Sequence, residues 1–322
     1  MPDDRVMPAN GPAHRKYDRL IAAAKALPPT KTAVAHPCDH VSLESAIEAA
    51  RQGLIEPILV GPPARIRDVA ARGNLDIAGM PIIASEHSHD SAAKAVAQIR
   101  SGAAEALMKG SLHTDELMGA VVSKTDGIRT ARRISHCFIM DVPAHPDPLV
   151  ITDAAVNIAP TLDEKVDIVQ NAIDLGHALF FQEVRVAILS AMETVTSKVP
   201  STVEAAALCK MADRGQITGG LLDGPLALDN AISVDAAAVK GIVSKVAGRA
   251  NVLVVPDLEA GNMLAKSLSF LAGADAAGIV LGARVPIVLT SRADSLTTRL
   301  ASCAVAALVA QARRKVAAAS VT

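Results

Sequence analysis

Two stretches near the C-terminal end hold the densest sets of reactive side chains in this sequence. Residues 255–262 read VPDLEAGN, and residues 286–295 read PIVLTSRADS. Each begins as an apolar strand, breaks into a polar turn and continues into a helix. Such turns place polar groups at the C-terminal end of a strand, where ligands bind in open α/β sheets. The pattern therefore favours an enzyme over a plain scaffold.

The second stretch has the side chains of an anion site. Ser291 and Arg292 directly follow the predicted strand, and Asp294 lies two residues after Arg292. A guanidinium group matches phosphate or carboxylate with a planar fork of donors, and a hydroxyl can hydrogen-bond a developing anion. The start of the following helix also favours negative charge. We expect catalysis from Ser291, Arg292 and Asp294, although capping of the last helix explains Asp294 or Ser295 equally well.

Other polar turns follow strands elsewhere in the chain. If the strands are parallel, these turns lie at one edge of the sheet and form one substrate-binding site. A polar loop is an equally good explanation for His113, and a helix cap is the ordinary explanation for Asp257. The candidate substrate-binding residues are Lys109, His113, Asp153, Asn157, Asp257, Gly261 and Asn262.

The composition predicts an aliphatic core and a small-molecule partner. Of the 322 residues, 50% are hydrophobic but only 2% are aromatic, which suits helices packed on a buried parallel sheet. The formal net charge is −1, and lysines and arginines are scattered. Nucleic acid and anionic membranes are therefore poor partners, whereas an anionic small molecule needs only one or two placed arginines.

The cysteines and the N-terminus predict a cytoplasmic protein. The four cysteines stand alone, without metal-ligand spacing, and are expected to be reduced core thiols. The first residues lack the apolar segment of a signal peptide, and no apolar run is long enough to cross a membrane. The cysteines are Cys38, Cys137, Cys209 and Cys303.

Strands and helices alternate along the chain, which predicts an α/β fold of mostly parallel sheets with helices on both faces. Capping boxes at Thr161 and Ser201 mark two helix starts. The proline-rich stretch at 144–148 predicts a domain break, and a crossing near 283–286 returns the last strand and helix to the first domain. We expect a first domain of residues 1–147 and 287–322, and an inserted domain of residues 148–286.

Several familiar site types are missing from the sequence. No G-x-G-x-x-G follows a strand, no G-x-S-x-G elbow occurs, and the P-loop-like residues 119–125 have Ser123 where glycine is required. The segment 86–90 contains histidines and carboxylates, but a loop His-x-His without a distant third ligand predicts a helix cap at Asp90 or Ser91 rather than a metal site.

Five segments in register resemble the phosphate acetyltransferase and phosphate butyryltransferase family from about residue 20 to the end. The resemblance implies transfer of a short acyl group between coenzyme A and phosphate, with no metal or prosthetic group. It also implies a homodimer of two-domain subunits, similar to isocitrate and isopropylmalate dehydrogenases, with the site in the interdomain cleft. The segments are residues 106–110, 151–157, 223–226, 256–262 and 289–292.

The resemblance also assigns roles. Ser291 is expected to stabilise the thiolate or oxyanion, and Arg292 to hold phosphate. Acetyl-specific members have a catalytic carboxylate seven residues after the serine, where this chain has Thr298. The identity of the general base is therefore open, and Asp294 is the nearest carboxylate in the sequence. Ala154 replaces a cysteine of the acetyl type, a difference that leans towards the butyryl type and leaves acyl length open.

Two alternatives stay open at this point. One is a metal- and NAD-dependent dehydrogenase of the related two-domain fold, although the sequence offers no evident pair of aspartate ligands or nicotinamide pocket. The other is a CoA-binding protein without catalytic activity, which the threonine at the expected base position would fit.

Overall fold

The structure, a computed structural model, describes residues 15–289 and 294–319, with strands and helices alternating as the sequence predicts. The strands are β1 (Thr30–Ala35), β2 (Ile55–Gly61), β3 (Ile82–Ala84), β4 (Ala106–Lys109), β5 (Ser135–Asp141), β6 (Leu149–Thr152), β7 (Arg185–Leu189), β8 (Leu221–Leu226), β9 (Val252–Val254), β10 (Asp275–Leu281) and β11 (Ile287–Val288). The helices are α1 (Arg15–Lys25), α2 (His40–Arg51), α3 (Pro63–Gly73), α4 (Ser88–Arg100), α5 (Thr114–Val122), α6 (Leu162–Ala178), α7 (Pro200–Asp213), α8 (Leu228–Ile232), α9 (Val234–Val239), α10 (Leu258–Leu271) and α11 (Leu296–Ala319).

These strands form one sheet of 11 strands in the order β3-β2-β1-β4-β11-β10-β5-β6-β9-β7-β8. The first five in this order are parallel to one another, and so are the last four. Between the two groups lie three antiparallel pairings, β11–β10, β10–β5 and β5–β6. The two parallel groups therefore run in opposite directions.

This topology corrects the prediction that all the polar turns lie at one edge of the sheet. Because three antiparallel pairings separate β4 from β6, the carboxyl end of β4 and the carboxyl ends of β6 and β9 point to opposite edges. Lys109 therefore lies at one edge, and Asp153 and Asp257 follow strands that end at the other. Any meeting of these residues has to occur across a face of the sheet.

The two faces of the sheet are covered differently. On one face a single continuous hydrophobic cluster includes residues of α1, α2, α3, α6, α7 and α11. On the other face, α4 and α5 cover the first parallel group, while α8, α9 and α10 cover the second, as two separate clusters. A cavity lies between those two clusters, over the antiparallel strands in the middle.

Two predicted helix starts had different outcomes. The capping box at Thr161 is confirmed, since its side chain accepts from the N–H of Glu164 and the Glu164 carboxylate accepts from the N–H of Thr161. The predicted capping box at Ser201 is wrong, because α7 already begins at Pro200 after Val199. The first residue of a helix does not need its N–H for a bond within the helix, so proline is well suited to that position. The helix therefore starts at Pro200, one residue before Ser201.

All four cysteines are unpaired, as predicted. Cys38, Cys137 and Cys303 are buried and Cys209 is half-buried. Burial raises the pKa of the Cys137 thiol to about 12, which keeps this thiol protonated. None of the helices in the described part of the chain has the length and apolarity needed to cross a membrane.

Candidate active site

The cavity between α5 and α10 has a volume of about 850 Å³. Side chains of β5 and β10 line its floor, with His136, Phe138 and Ala276 among them. The loop after β4 and one side of α10 form the walls. Four predicted site residues line this one cavity, although they come from strands that end at opposite edges of the sheet: Lys109, His113, Asn262 and Asp294.

The backbone at Gly110 fixes the first wall. Its N–H donates to the carbonyl of Ala35 at 2.8 Å, and a Cβ at this position would lie only 2.4 Å from that oxygen. Only glycine avoids this clash, so β4 can stay close to β1 beyond its last paired residue. Lys109 is held half-buried beside this turn, with its Nζ 3.3 Å from the carbonyl oxygen of Gly110.

His113 stands at the start of α5. Its backbone N–H donates to the Glu116 carboxylate at 3.1 Å, which fixes the first turn of the helix. The His113 side chain is exposed and lines the cavity. Its imidazole is thus placed where it can contact a ligand.

Ser291 and Arg292, the residues predicted to carry the chemistry, lie outside the described residues. Leu289 precedes that stretch of the chain and Asp294 follows it, and both line the cavity. The described chain therefore enters and leaves the 290–293 stretch at the cavity.

The backbone at Asp294 is held by the first turns of α11. The Oγ atom of Ser295 accepts from the backbone N–H of Thr298 at 3.1 Å, so the cap predicted for either Asp294 or Ser295 belongs to Ser295. Arg299 donates through Nη1 to the carbonyl of Asp294 at 3.3 Å and through Nη2 to the Glu44 carboxylate at 3.1 Å. Because Arg299 is nearly fully buried, these contacts fix the backbone of Asp294 at the cavity.

Asp153 and Asn157 have buried side chains that hold their own loop. The two carboxylate oxygens of Asp153 accept from the backbone N–H groups of Ala155 at 2.9 Å, Val156 at 3.0 Å and Asn157 at 3.2 Å. The side-chain amide of Asn157 donates to Asp153 at 2.5 Å and to the carbonyl of Ile134 at 2.9 Å. Among the described residues, the groups that donate to the Asp153 carboxylate all belong to this loop.

The turn after β9 has the helix cap that the sequence offered as the ordinary explanation for Asp257. The helix α10 begins at Leu258, with Asp257 as its N-cap accepting from Ala260 at 2.8 Å. Gly261 therefore lies within the helix, and its N–H donates to the carbonyl of Asp257 rather than facing outward for an anion. A Cβ at Gly261 would lie 2.9 Å from the Cβ of Ala154, so this glycine serves close packing.

Asn262, one residue further, faces the cavity instead. Its Nδ2 lies 3.4 Å from the carbonyl of Ala154. The amide is thus at the wall between α10 and the loop that Asp153 organises. Of the three residues predicted in this turn, it is the one that lines the cavity.

Sequence reasoning missed His136, which lies in β5 with 2% of its surface exposed. Its Nδ1 has no hydrogen-bond partner among the described residues, and its ring meets that of Phe138 edge-on at 4.4 Å. Burial lowers the pKa of the His136 imidazole to about 4, and the charge of Asp153 opposes that shift. Alternation along β5 could have placed His136 on the face of Phe138, but not in a cavity.

A second cavity, of about 1180 Å³, adjoins the first, since Thr114 and Ala155 line both. Arg133 pairs with Glu164 at 2.9 Å and donates to Asn157 at 2.7 Å. Within the described ranges, two of the other basic residues have no ion-pair partner. The basic residues at this cavity are Lys124, Arg129, Arg132 and Arg133, and it is Lys124 and Arg129 that have no ion-pair partner in the part of the chain that the structure describes.

The histidine-rich segment at 86–90 has a local role. His87 is the N-cap of α4 and accepts through Nδ1 from the N–H of Asp90 at 3.2 Å, so the prediction of Asp90 or Ser91 as the cap is wrong. The Asp90 carboxylate accepts from Lys94 at 2.8 Å. No group of three metal-ligating side chains was found among the residues that the structure describes.

Comparison with known proteins gives consistent results. Residues 81–307 match the family described as phosphate acetyl/butaryl transferase. A phosphate acetyltransferase from Rhizobium meliloti is 69% identical over 93% of this chain and 95% of its own length. A phosphate butyryltransferase from Clostridium beijerinckii is 40% identical over 94% of this chain and 99% of its own. Among solved structures, a branched-chain phosphotransacylase from Enterococcus faecalis V583 superposes with a TM-score of 0.76 at 27% identity, covering 87% of this chain and 99% of its own.

Proposed function

The chain belongs to the phosphate acetyl/butyryl transferase family, and on that basis we propose that it catalyses reversible transfer of a short acyl group between coenzyme A and phosphate. The observation that carries this proposal is the 69% identity to a phosphate acetyltransferase over 93% of the chain. The similarity to that relative supports acetyl as the preferred acyl group, whereas the alanine at position 154 by itself favoured butyryl.

The reaction needs three things from the site. The CoA thiol must lose its proton, the thiolate must attack the carbonyl carbon of the acyl phosphate, and the resulting oxyanion must be stabilised until phosphate leaves. Lys109 and His113 lie on the cavity wall where donors can hold the phosphate, and Asn262 offers an amide donor opposite them. By resemblance, Ser291 stabilises the thiolate or oxyanion and Arg292 binds phosphate.

The second cavity suits the remainder of CoA, which carries several phosphate charges. Lys124 and Arg129 line that cavity without an ion-pair partner among the described residues, and Thr114 and Ala155 connect it with the first. An acyl-CoA with its thioester in the first cavity would then direct its phosphates towards these cations.

CoA is a substrate in this proposal, and the reaction uses neither metal nor prosthetic group. The family assignment favours it over a metal- and NAD-dependent dehydrogenase. A CoA-binding protein without activity would show a thermal shift with CoA but no turnover.

We further propose the predicted two-domain division, with residues 1–147 and 287–322 in one domain and 148–286 in the other. The parallel pairing of β11 with β4 supports the return of the last strand to the first domain. The cavity between the clusters would then be the interdomain cleft, as in isocitrate and isopropylmalate dehydrogenases.

A homodimer and a cytoplasmic location complete the proposal. Phe270 and Leu271 at the end of α10 are 85% and 86% exposed, which supports burial of this helix against a second copy. Light scattering after size exclusion would test the dimer. The unpaired cysteines support a reducing compartment.

The test is a thiol-release assay with acetyl-, propionyl-, butyryl- and octanoyl-CoA, each with and without phosphate. We expect release that depends on phosphate and is fastest with acetyl-CoA. No release with any of the four, despite a thermal shift with CoA, would establish the inactive CoA-binding protein instead.

Arg292→Ala should raise the KM for phosphate at least about tenfold, because a charge-assisted bidentate contact to phosphate is lost. The KM for CoA should change far less. Initial rates at varied phosphate and saturating acetyl-CoA measure the effect. Phosphate kinetics equal to those of the wild type would remove Arg292 from the site.

A further inference from the structure

Phe138 brings an aromatic ring to the floor of the first cavity. It lies in β5, a strand that pairs with β10 on one side and β6 on the other, so neighbouring strands cover its backbone. Phe138 is nevertheless only half-buried and lines the cavity, so it is the ring that faces the open space. A phenyl ring is a large and rigid apolar group, and it closes part of the cavity floor.

Two sets of contacts hold this ring. His136 meets it edge-on, with 4.4 Å between the ring centroids. Phe138 also packs against the hydrophobic cluster beneath α8, α9 and α10, as do Leu264, Leu268 and Ala276. Close packing of this kind leaves the ring little room to turn aside. A ligand on the floor therefore has to fit in front of the ring.

The reacting carbonyl is expected at the His136 end of the floor. A Cβ on Gly278 would lie 2.9 Å from Nε2 of His136 and 3.2 Å from the carbonyl oxygen of Leu289, so both groups lie next to Gly278. Leu289 leads into the segment with Ser291, which the family resemblance assigns to the thiolate or oxyanion. Phe138 is the next ring along the floor, and it pairs across the two strands with Gly278. An acyl chain that runs along the floor from this carbonyl therefore meets Phe138.

Polarity separates the walls of this cavity from its floor. The floor beside Phe138 is apolar, with Ala276 of β10 next to it on the same face. The charged side chains at the cavity come from outside β5 and β10: Lys109, Lys266 and Asp294. An acyl chain gains free energy by leaving water against apolar surface, whereas phosphate needs charged and polar donors. The acyl chain therefore belongs on the floor, and phosphate belongs at the walls.

We propose that the ring of Phe138 sets the acyl chain length of this enzyme, because it ends the space available beyond the reacting carbonyl. This inference rests on the acyltransferase function proposed above. An acetyl group ends at its methyl and fits in front of the ring. A butyryl group adds two methylenes, which either overlap the ring or turn towards the polar walls.

The test measures kcat/KM with butyryl-CoA and with acetyl-CoA, at saturating phosphate, for wild type and Phe138→Ala. A methylene in an apolar pocket changes kcat/KM by about 10–200-fold, so wild type should prefer acetyl-CoA at least about tenfold. Phe138→Ala should raise the butyryl-to-acetyl ratio at least about tenfold, because the space of the ring becomes open to the methylenes. The KM for phosphate should stay near that of wild type. A purely structural role would lower the rates with both substrates alike and leave the ratio unchanged.

Three further variants separate chain length from packing. Ala276→Leu fills the space next to the ring and should lower the rate with butyryl-CoA more than the rate with acetyl-CoA. Phe180→Ala is the matched control, since Phe180 is 64% exposed in the turn after α6 and lines neither cavity, and it should keep the wild-type ratio. Thermal unfolding checks that each variant is folded. Phe138→Leu, which should also raise the ratio, serves if Phe138→Ala is unfolded or inactive.

The outcomes are distinguishable. If the folded wild type releases no thiol with any short acyl-CoA and phosphate, the proposed function itself fails. If wild type uses butyryl-CoA as well as acetyl-CoA, or if active Phe138→Ala keeps the wild-type ratio, the role of Phe138 is overturned while the acyltransferase stands. It is equally overturned if Leu112→Ala, at the cavity wall, relaxes the chain length and Phe138→Ala does not.

Discussion

Two clusters of polar residues follow the same local pattern but are used differently. The cavity cluster is Lys109, His113, His136, Asn262 and Asp294, and the buried cluster is Asp153 and Asn157 together with the half-buried Asp257. Apart from His136, which lies inside β5, both draw on turns between a strand and a helix. In the buried cluster the carboxylates accept from nearby backbone N–H groups, whereas every member of the cavity cluster lines the same 850 Å³ space.

The difference comes from which groups accept hydrogen bonds from the backbone N–H groups of each turn. Asp153 has three backbone N–H groups within four residues of itself, and buried amides need partners. Its carboxylate is therefore committed to the loop. Lys109 precedes a turn in which the N–H groups of Gly110 and Ser111 donate to the carbonyls of Ala35 and His36. The backbone thus satisfies the amides of this turn, whereas the loop after β6 uses the side chain of Asp153 for that purpose.

The largest effect should come from Ser291→Ala, because the family resemblance assigns to this hydroxyl the stabilisation of the thiolate or oxyanion. Loss of one donor to a developing anion costs about 10²–10³ in turnover. We therefore expect kcat to fall by that factor, with the affinity for CoA and the thermal unfolding temperature close to wild type. Steady-state rates and a CoA titration measure both. A kcat within twofold of wild type would contradict the role of Ser291.

Asp153→Asn tests the buried side. The change should lower the free energy of unfolding by about 3 kcal/mol, because an amide cannot accept from all the donors that the carboxylate serves. Urea unfolding measures it, with the exposed Asp147→Asn as a control expected to change by less than about 0.5 kcal/mol. Unchanged stability together with a raised KM would show that Asp153 binds substrate, as the sequence predicted.

The smallest expected effect concerns His136, on which Asp153 of the buried cluster acts by its charge. Burial lowers the pKa of the His136 imidazole to about 4, and the charge of Asp153 opposes part of that shift. The unfolded chain binds a proton below about pH 6.5, while the folded imidazole does not until about pH 4. Stability therefore falls as the pH falls through this window. From about pH 7 to 5.5 wild type should lose about 1 kcal/mol more than His136→Asn, measured by urea unfolding. Equal losses would show that the folded imidazole titrates normally.

The fold was largely predictable from the sequence because its signals are local. The strand bounds of β4 and β6 and the capping box at Thr161 follow from short patterns of apolar and capping residues. The start of α7 was misplaced because a proline after Val199 competes with the cap at Ser201. The opposite directions of the two parallel groups were not predicted, since strand direction depends on pairings between residues far apart in the chain.

The site was predictable in part. Lys109, His113, Asn262 and Asp294 were identified as polar residues at element ends, and they do share a cavity. Gly261 was predicted to bind substrate, but it packs against Ala154, which lies more than 100 residues earlier in the chain. His136 was missed because a histidine inside a strand has no signature of its own.

The sequence by itself determined the family, the alternation of strands and helices, and the residues that could do chemistry, because these depend on residue type and on short spacing. The tertiary structure decided which of those residues meet. Two helix clusters leave the middle of one sheet face open, and that gap brings the loop after β4, the strand with His136 and the helix with Asn262 around one cavity. No local pattern encodes such a gap, since it results from the packing of segments distant in sequence.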